Sequence, residues 1–220
     1  FEGFREAGFL PEAMINFLAL LGWHPGGDRE LFTLDELISE FTIEHIGKSG
    51  ARFDFEKAKW FNQKYIQSLS TDVLASLILP HAEKKGYKTD MAYLGLVASL
   101  MRERVTFIPD FVEAGYYFFE PVKSYDQDTI AKKWNENLIP FFNNLTEFFS
   151  NFEPFEVAPL EEQVKGLIQT AGYKPGDILP LLRIAFVGTM KGPAVFDTVV
   201  ALGREESAAR IQRFLEHVSS

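Results

Sequence analysis

The sequence predicts an all-α protein. Apolar side chains recur at i, i+3, i+4 spacing along most of its 220 residues, and helix-start signals precede these stretches. Neither β-alternation nor a nucleotide-binding βαβ pattern is visible. The first element is the clearest. Pro11 suits a first helical turn, where its missing N–H costs nothing. Met14, Phe17, Leu18 and Leu21 form an apolar stripe, and Gly22 ends the helix ahead of the turn His24-Pro25-Gly26-Gly27-Asp28.

The remaining elements follow in order. Thr33 and Glu36 have capping-box spacing before Leu37, Ile38 and Phe41. Asp54 is placed to cap a helix carrying Trp60, Phe61 and Tyr65, and Ser70 opens one running to Lys85, which Pro80 is expected to bend or divide. Asp90 opens a helix with Leu94, Val97, Leu100 and Met101. A long helical pattern from Ser124 to Phe152 is expected to break at Pro140. Helices are then expected over 159–171, 177–187, 193–202 and 205–215, with Gly172, Pro175-Gly176, Gly188, Gly192-Pro193 and Gly203 between them. The aromatic groups Phe111, Tyr116 to Phe119, Phe141, Phe142, Phe148 and Phe149 read as packing between helices, with stacking on nucleobases as the functional alternative. Joints are expected near 67–71 and 120–124.

Composition narrows the function classes. There are no cysteines, which excludes disulfides and thiolate zinc sites and fits a reducing cytosol. No uncharged apolar run reaches membrane-spanning length, and no signal-peptide pattern opens the chain. Phe1 is not an initiator, so a boundary within a longer protein is expected there. A net charge of −9 argues against general nucleic-acid binding. The distribution is uneven: residues 1–160 hold 15 basic and 24 acidic side chains, whereas 161–220 hold seven of each. A local cationic strip is therefore compatible with the total.

Catalytic apparatus is not visible. His45-Ile46-Gly47 imitates part of a class I nucleotide signature, but Lys48 stands at its fourth position and no parallel strand precedes it. Gly47-Lys48-Ser49 imitates the end of a phosphate loop, but Thr42 occupies the position where that loop needs glycine. The four histidines His24, His45, His81 and His217 lack metal-ligand spacing, and acidic pairs such as Glu161-Glu162 and Glu205-Glu206 suit helix starts. No catalytic residue, cofactor-binding residue or metal ligand is expected.

What remains is cationic. Arg102 and Arg104 stand at a helix C-terminus, where either could complement the dipole. Arg104 could equally read a base edge, since its planar fork donates two hydrogen bonds. A second group comprises Lys165, Arg183, Lys191, Arg204, Arg210 and Arg213. Arg183 lies in an apolar helix leading to the turn Gly188-Thr189-Met190-Lys191-Gly192-Pro193, where small residues allow close approach of nucleic acid to the main chain. A charge there calls for a specific partner.

Taken in order, these blocks resemble bacterial-type glutamyl-tRNA synthetases. The resemblance rests on Gly8-Phe9-Leu10-Pro11-Glu12-Ala13, Leu31 to Leu37, Phe53-Asp54 with Trp60, Asn62 and Tyr65, Met101 to Arg104, Pro180 to Pro193, Val195-Phe196 and Ala201 to Glu205. It implies a multi-helix anticodon-binding cage preceded by a helical stem-contact region. Residues 1–66 would contact the inner tRNA stem and link to the catalytic domain of the same chain; 67–121 and 122–220 would form two anticodon-binding subdomains. The partner implied is tRNA(Glu), read by a cytoplasmic monomer without membrane contact. Arg104 would read the third anticodon base; Lys165, Arg183, Gly192 and Val195 would contact the anticodon loop; Arg102, Lys191 and Arg204 would meet phosphate. ATP and Mg2+ would serve the catalytic domain, whose His-Ile-Gly-His and Lys-Met-Ser-Lys-Ser signatures this chain lacks. The alternative is a non-catalytic helical module that binds proteins through its acidic, aromatic-rich surface.

Overall fold

The structure is a computed structural model that describes residues 3–47 and 52–219. Lys48 and Ser49, on which the two phosphate-site imitations end, lie outside the described residues. Among those residues the fold is helical throughout, and the one β feature is an isolated bridge between Trp23 and Ile46. The chain divides into two compact units, Phe1–Ala114 and Gly115–Ser220.

In the first unit, α1 (Pro11–Gly22) packs on α3 (Phe55–Ser68) and is followed by the short α2 (Leu34–Glu40); α4 (Thr71–Lys84) pairs with α5 (Met91–Met101), and α6 (Asp110–Glu113) follows. The stripes meet as their spacing requires: Phe9, Met14, Phe17, Ala58 and Phe61 form one core cluster, and Trp23, Phe32 and Leu37 another. Local signals start these helices. Thr33 and Glu36 form the full capping box, and Asp54, Ser70 and Asp90 each accept from the backbone N–H three residues on. Two buried asparagines tie the elements together. Asn62 accepts from the Leu10 N–H at 2.8 Å and donates to the Thr106 carbonyl at 2.5 Å. Asn16 accepts from the Phe32 N–H and the Tyr65 hydroxyl at 2.8 and 2.9 Å and donates to the Glu30 carbonyl at 3.0 Å.

The second unit contains α7 (Gln127–Lys133), α8 (Ile139–Asn151), α9 (Val157–Thr170), α10 (Pro175–Val187), α11 (Val195–Leu202) and α12 (Arg204–Val218). α12 lies along α8 and also packs on α10 and α11. Phe142, Phe149, Phe186 and Phe214 are buried among these helices, and Trp134 meets Phe142 and Phe214 edge-on at 5.3 and 5.5 Å between ring centres. Phe111, Tyr117, Phe118, Phe141, Phe142 and Phe149 are all buried, so these aromatics fill cores. The compact division at 114/115 places the run Tyr116 to Phe119 with the second unit, where the Tyr117 and Glu120 carbonyls accept from Arg210.

One proline expectation is narrowed and one is corrected. Pro80 does not divide its helix: α4 continues through it. Pro80 is exposed, and so is Ser76, whose carbonyl loses its helical donor and is left to solvent. Pro140 does not interrupt a helix either; it sits in the first turn of α8, where no donor is needed. The actual break is extended backbone at Trp134 and Asn135, after which the Asn135 side chain caps a short 3-10 turn.

Candidate nucleic-acid interface

Arg102 and Arg104 follow α5 on a single 3-10 turn, Arg102–Arg104, yet they take different surroundings. Arg102 is half-buried and its Nη1 donates to the Gln67 and Leu69 carbonyls at 3.4 and 3.2 Å. Those carbonyls close α3, so Arg102 complements the dipole of a neighbouring helix rather than that of its own. Arg104 is exposed, and its Nη1 makes only a long 3.4 Å contact with the Leu100 carbonyl. No carboxylate among the described residues pairs with it, so most of its five donors face solvent.

In the second unit α10, the turn after it and α11, with Glu161 of α9, line an open pocket of about 390 Å³, large enough for a nucleobase. Leu179, Pro180, Met190 and Val195 supply apolar walls; Arg183, Glu161 and Asp197 supply charge. The carbon skeleton that positions Arg183 is α10 itself, whose neighbouring Leu181, Leu182 and Ile184 are fully buried. Arg183 emerges from that apolar helix toward the following turn. Its Nη1 donates to the Gly192 carbonyl at 3.2 Å and the Pro193 carbonyl at 2.5 Å. The partner that a charge in this helix calls for is thus supplied, at least in part, by the chain's own turn.

That turn is fixed from both ends. Gly188 takes a left-handed φ of 80°, and a Cβ there would lie 2.4 Å from the Ser124 carbonyl oxygen. Gly188 also accepts from the Asp126 N–H at 2.9 Å. Gly192 lies in ordinary van der Waals range of Val187, Tyr117 and Arg183, and its carbonyl is held by the Arg183 guanidinium. Val195 opens α11 at the cavity wall. Among the expected loop contacts the structure therefore brings together Arg183, Gly192 and Val195. Lys165 does not line the cavity; it pairs at 2.5 Å with Glu161, which does. Lys191 is exposed on the turn and pairs with no carboxylate among the described residues. Arg204 is half-buried, bonded to the Phe152 carbonyl at 3.1 Å and to the Glu153 carboxylate, and lies over the Phe155 ring.

One member of the expected cationic group is misplaced by sequence reading. Arg210 is only 2% exposed and so is no surface cation. It donates to the Tyr117, Glu120 and Phe186 carbonyls and to the Glu206 carboxylate, spanning a 3-10 turn, the end of α10 and α12. Burying an ionised group is costly unless it is fully paired, and these four acceptors meet that need. Arg213 shares Glu206 at 3.0 Å. Burial opposes the Glu206 charge, but hydrogen bonds from Arg213 and Arg210 outweigh it and hold the carboxyl below its ordinary range. The signal was present as Glu206, Arg210 and Arg213 at i, i+4 and i+7 on one face. Asp197 and Met190 were also missed; they acquire significance only once α10 and α11 come to line one pocket.

Elsewhere, a groove of about 330 Å³ beside Phe32, Lys64 and Tyr65 holds Arg29, already paired with Glu36 and Glu40. His45, Ile46 and Gly47 form the end of a 3-10 turn and return to α1, with Gly47 N–H donating to the Gly22 carbonyl at 2.7 Å. This geometry offers no helix N-terminus to a phosphate. Among the described residues no group of three or more His, Asp or Glu is placed to hold a metal ion, and no helix is long and apolar enough to cross a membrane.

Comparison with known proteins gives consistent matches. A family model described as an anticodon binding domain matches residues 73–215, and one described as the class I (E and Q) tRNA synthetase catalytic domain matches residues 2–60. Glutamate–tRNA ligase of Porphyromonas gingivalis is 44% identical over 216 residues, covering 98% of this chain and 43% of the relative. That of Parabacteroides distasonis is 42% identical over 215 residues, with the same coverage. The crystal structure of a glutamate tRNA ligase from Elizabethkingia meningosepticum in complex with its amino acid superimposes with a TM-score of 0.92 at 35% identity, over 98% of this chain and 43% of that one. A glutamate–tRNA synthetase from Elizabethkingia anophelis gives 0.87 at 34% identity, over 97% and 42%. The chain thus spans less than half the length of these relatives.

Proposed function

We infer that this chain, which belongs to the anticodon-binding-domain family of the glutamate–tRNA ligases, is the tRNA(Glu)-reading part of such a ligase. The observation that carries the reading is the cavity between α10 and α11, where Arg183 holds the Gly192–Pro193 turn beside Val195. An open, largely apolar pocket with a held guanidinium at its edge suits an unstacked base, which needs one flat surface and a few aimed polar groups. Arg104, exposed with spare donors, supplies a second reading head. It donates to the third anticodon base, where the glutamate anticodons carry cytosine. Unpaired cytosine offers a ring nitrogen and a carbonyl to a guanidinium; guanine, in the glutamine anticodons, is larger and presents donors.

The other residues have supporting roles. Lys191 lies free to meet backbone phosphate, and Lys165 does so when it exchanges Glu161 for an anticodon-loop oxygen. Arg102 and Arg204 chiefly hold their own segments and add to the local positive field. Residues 1–66 meet the inner tRNA stem and join the catalytic domain, and 67–121 and 122–220 form the anticodon cage. The whole ligase acts in the cytoplasm as a monomer and charges tRNA(Glu) with glutamate. ATP and Mg2+ belong to its catalytic domain; the turn at 43–47 does not fit a nucleotide phosphate.

Titration of the chain with tRNA(Glu) at fixed salt, against the same tRNA with an altered anticodon, tests this reading. Preference for the native anticodon by tenfold or more is expected. Equal affinity for both would reduce the contact to non-specific charge, and failure to bind either would favour a protein-binding module.

A further inference from the structure

The two carboxylates that line the pocket beside Arg183 differ in their surroundings. Glu161 is engaged by Lys165. Asp197 is half-buried and makes no hydrogen bond or ion pair among the described residues. It stands third in α11, after Val195 and Phe196. A carboxylate at that position faces the positive end of the helix dipole, and in a capping box it also accepts the N-cap N–H. Asp197 makes no such bond to Ala194, and the adjoining Thr198 hydroxyl donates to the Ala194 carbonyl at 2.9 Å instead. Dipole complementation works equally well from a fully hydrated side chain. A carboxylate drawn partly out of water between buried Phe196 and Thr198, with no donor to meet it, carries a desolvation cost that its own helix does not offset.

We propose that Asp197 is the specificity-determining acceptor of this pocket and receives the ring N–H of the middle anticodon base, uracil. The inference rests on the reading of the pocket as a base site and narrows it. A carboxylate repels phosphate, so the group that meets Asp197 is a donor on a base or a ribose. The walls Leu179, Pro180, Met190 and Val195 suit the flat faces of a base, whose edge is then left for the polar groups. Glutamate codons fix the middle anticodon base as uracil, whereas the first is either pyrimidine and the third belongs to Arg104. Uracil carries an N–H at N3. Cytosine has a lone pair at N3 and adenine has one at N1, so an ionised carboxylate, which only accepts, attracts the first and repels the other two. Guanine also carries an N–H at the equivalent ring nitrogen. Asp197 therefore sorts bases by protonation at that nitrogen and not by size.

The test titrates the full-length ligase with tRNA(Glu) carrying uracil, cytosine, 3-methyluracil or 2′-deoxyuridine at the middle anticodon position. Cytosine and 3-methyluracil, which lack the N–H, should each lower affinity about tenfold or more. The 2′-deoxy nucleotide should bind as uridine does. Asp197→Asn supplies both an acceptor and a donor at the same place, so this variant should bind uracil and cytosine alike. A uracil-to-cytosine ratio that Asp197→Asn leaves unchanged, including an equal loss for both bases, would return Asp197 to its helix and overturn the proposal. So would a loss on the 2′-deoxy nucleotide without one on cytosine, which would assign the carboxylate to ribose. Failure of the underlying reading looks different: the unsubstituted ligase would then show no dependence on the middle base at all.

Discussion

The Arg183 guanidinium donates to the Pro193 carbonyl at 2.5 Å, ten residues further along the chain. A charge from within an apolar helix thereby sets the shape of the turn that follows it. Arg183→Lys keeps the charge but loses the fork that spans the Gly192 and Pro193 carbonyls. Loss of a charge-assisted contact costs about 1.5–3 kcal/mol. The expected outcome is a ten- to hundredfold loss of tRNA affinity with little change in its salt dependence. An unchanged affinity with a lowered melting temperature would confine Arg183 to folding.

Arg104→Gln, made in the full-length ligase, should relax discrimination between tRNA(Glu) and tRNA(Gln). A good bidentate base contact contributes roughly 1–3 kcal/mol of discrimination. Comparing kcat/KM for the two tRNAs checks this. Equal loss for both would indicate a phosphate contact. Because Arg104 is exposed and makes one long backbone contact, thermal stability should stay the same.

Arg210→Met should destabilise the second unit by about 2–3 kcal/mol, because it removes the donor from two buried carbonyls, a half-buried one and part of the Glu206 carboxylate, which keeps Arg213. Chemical denaturation measures the loss. The turn carrying Gly192 follows α10, whose end Arg210 holds, so tRNA affinity should fall in parallel.

Glu206 gives the second unit an acid limb. Its native carboxyl is held below its ordinary range, so the unfolded chain binds more protons in the mildly acidic region. The stabilisation is complete above the unfolded value near 4.3 and is lost as pH falls through the native one. Urea unfolding between pH 3 and 6 should show this slope, and Glu206→Gln should flatten it.

Gly188→Ala should cost about 1–3 kcal/mol in left-handed strain alone, before the clash with the Ser124 carbonyl. Gly172→Ala, with the same φ of 80° and open space around it, is the matched control. A larger loss at Gly188 than at Gly172 measures the clash.

Helices were legible because their determinants are local: Thr33 with Glu36, Asp54 and Asp90 cap where side-chain spacing says they should. That α4 would run undivided through Pro80 was not legible, because tolerance of the proline depends on which face of α4 meets solvent, which is settled by packing. At the site, the small-residue turn was visible, but not its tether to Arg183. Arg210 looked like surface charge because its acceptors lie as far away as Tyr117, and carbonyl direction leaves no trace in residue identity. Arg104 and Arg102 are alike in sequence and differ only because the end of α3 happens to lie beside one of them.

That last difference makes the length of α5 a coded quantity. Arg102 is engaged by fixed carbonyls at Gln67 and Leu69, so the turn it shares with Arg104 has a single rotational setting. Inserting or deleting one residue between Asp90 and Arg102 would swing the turn by about 100°. Either the tether would break or Arg104 would point elsewhere. Exposed positions of α5 such as Ala92 and Ser99 can be substituted while its residue count cannot change, whereas in the stretch joining α4 to α5 the left-handed φ of 75° fixes one residue type, at Gly86.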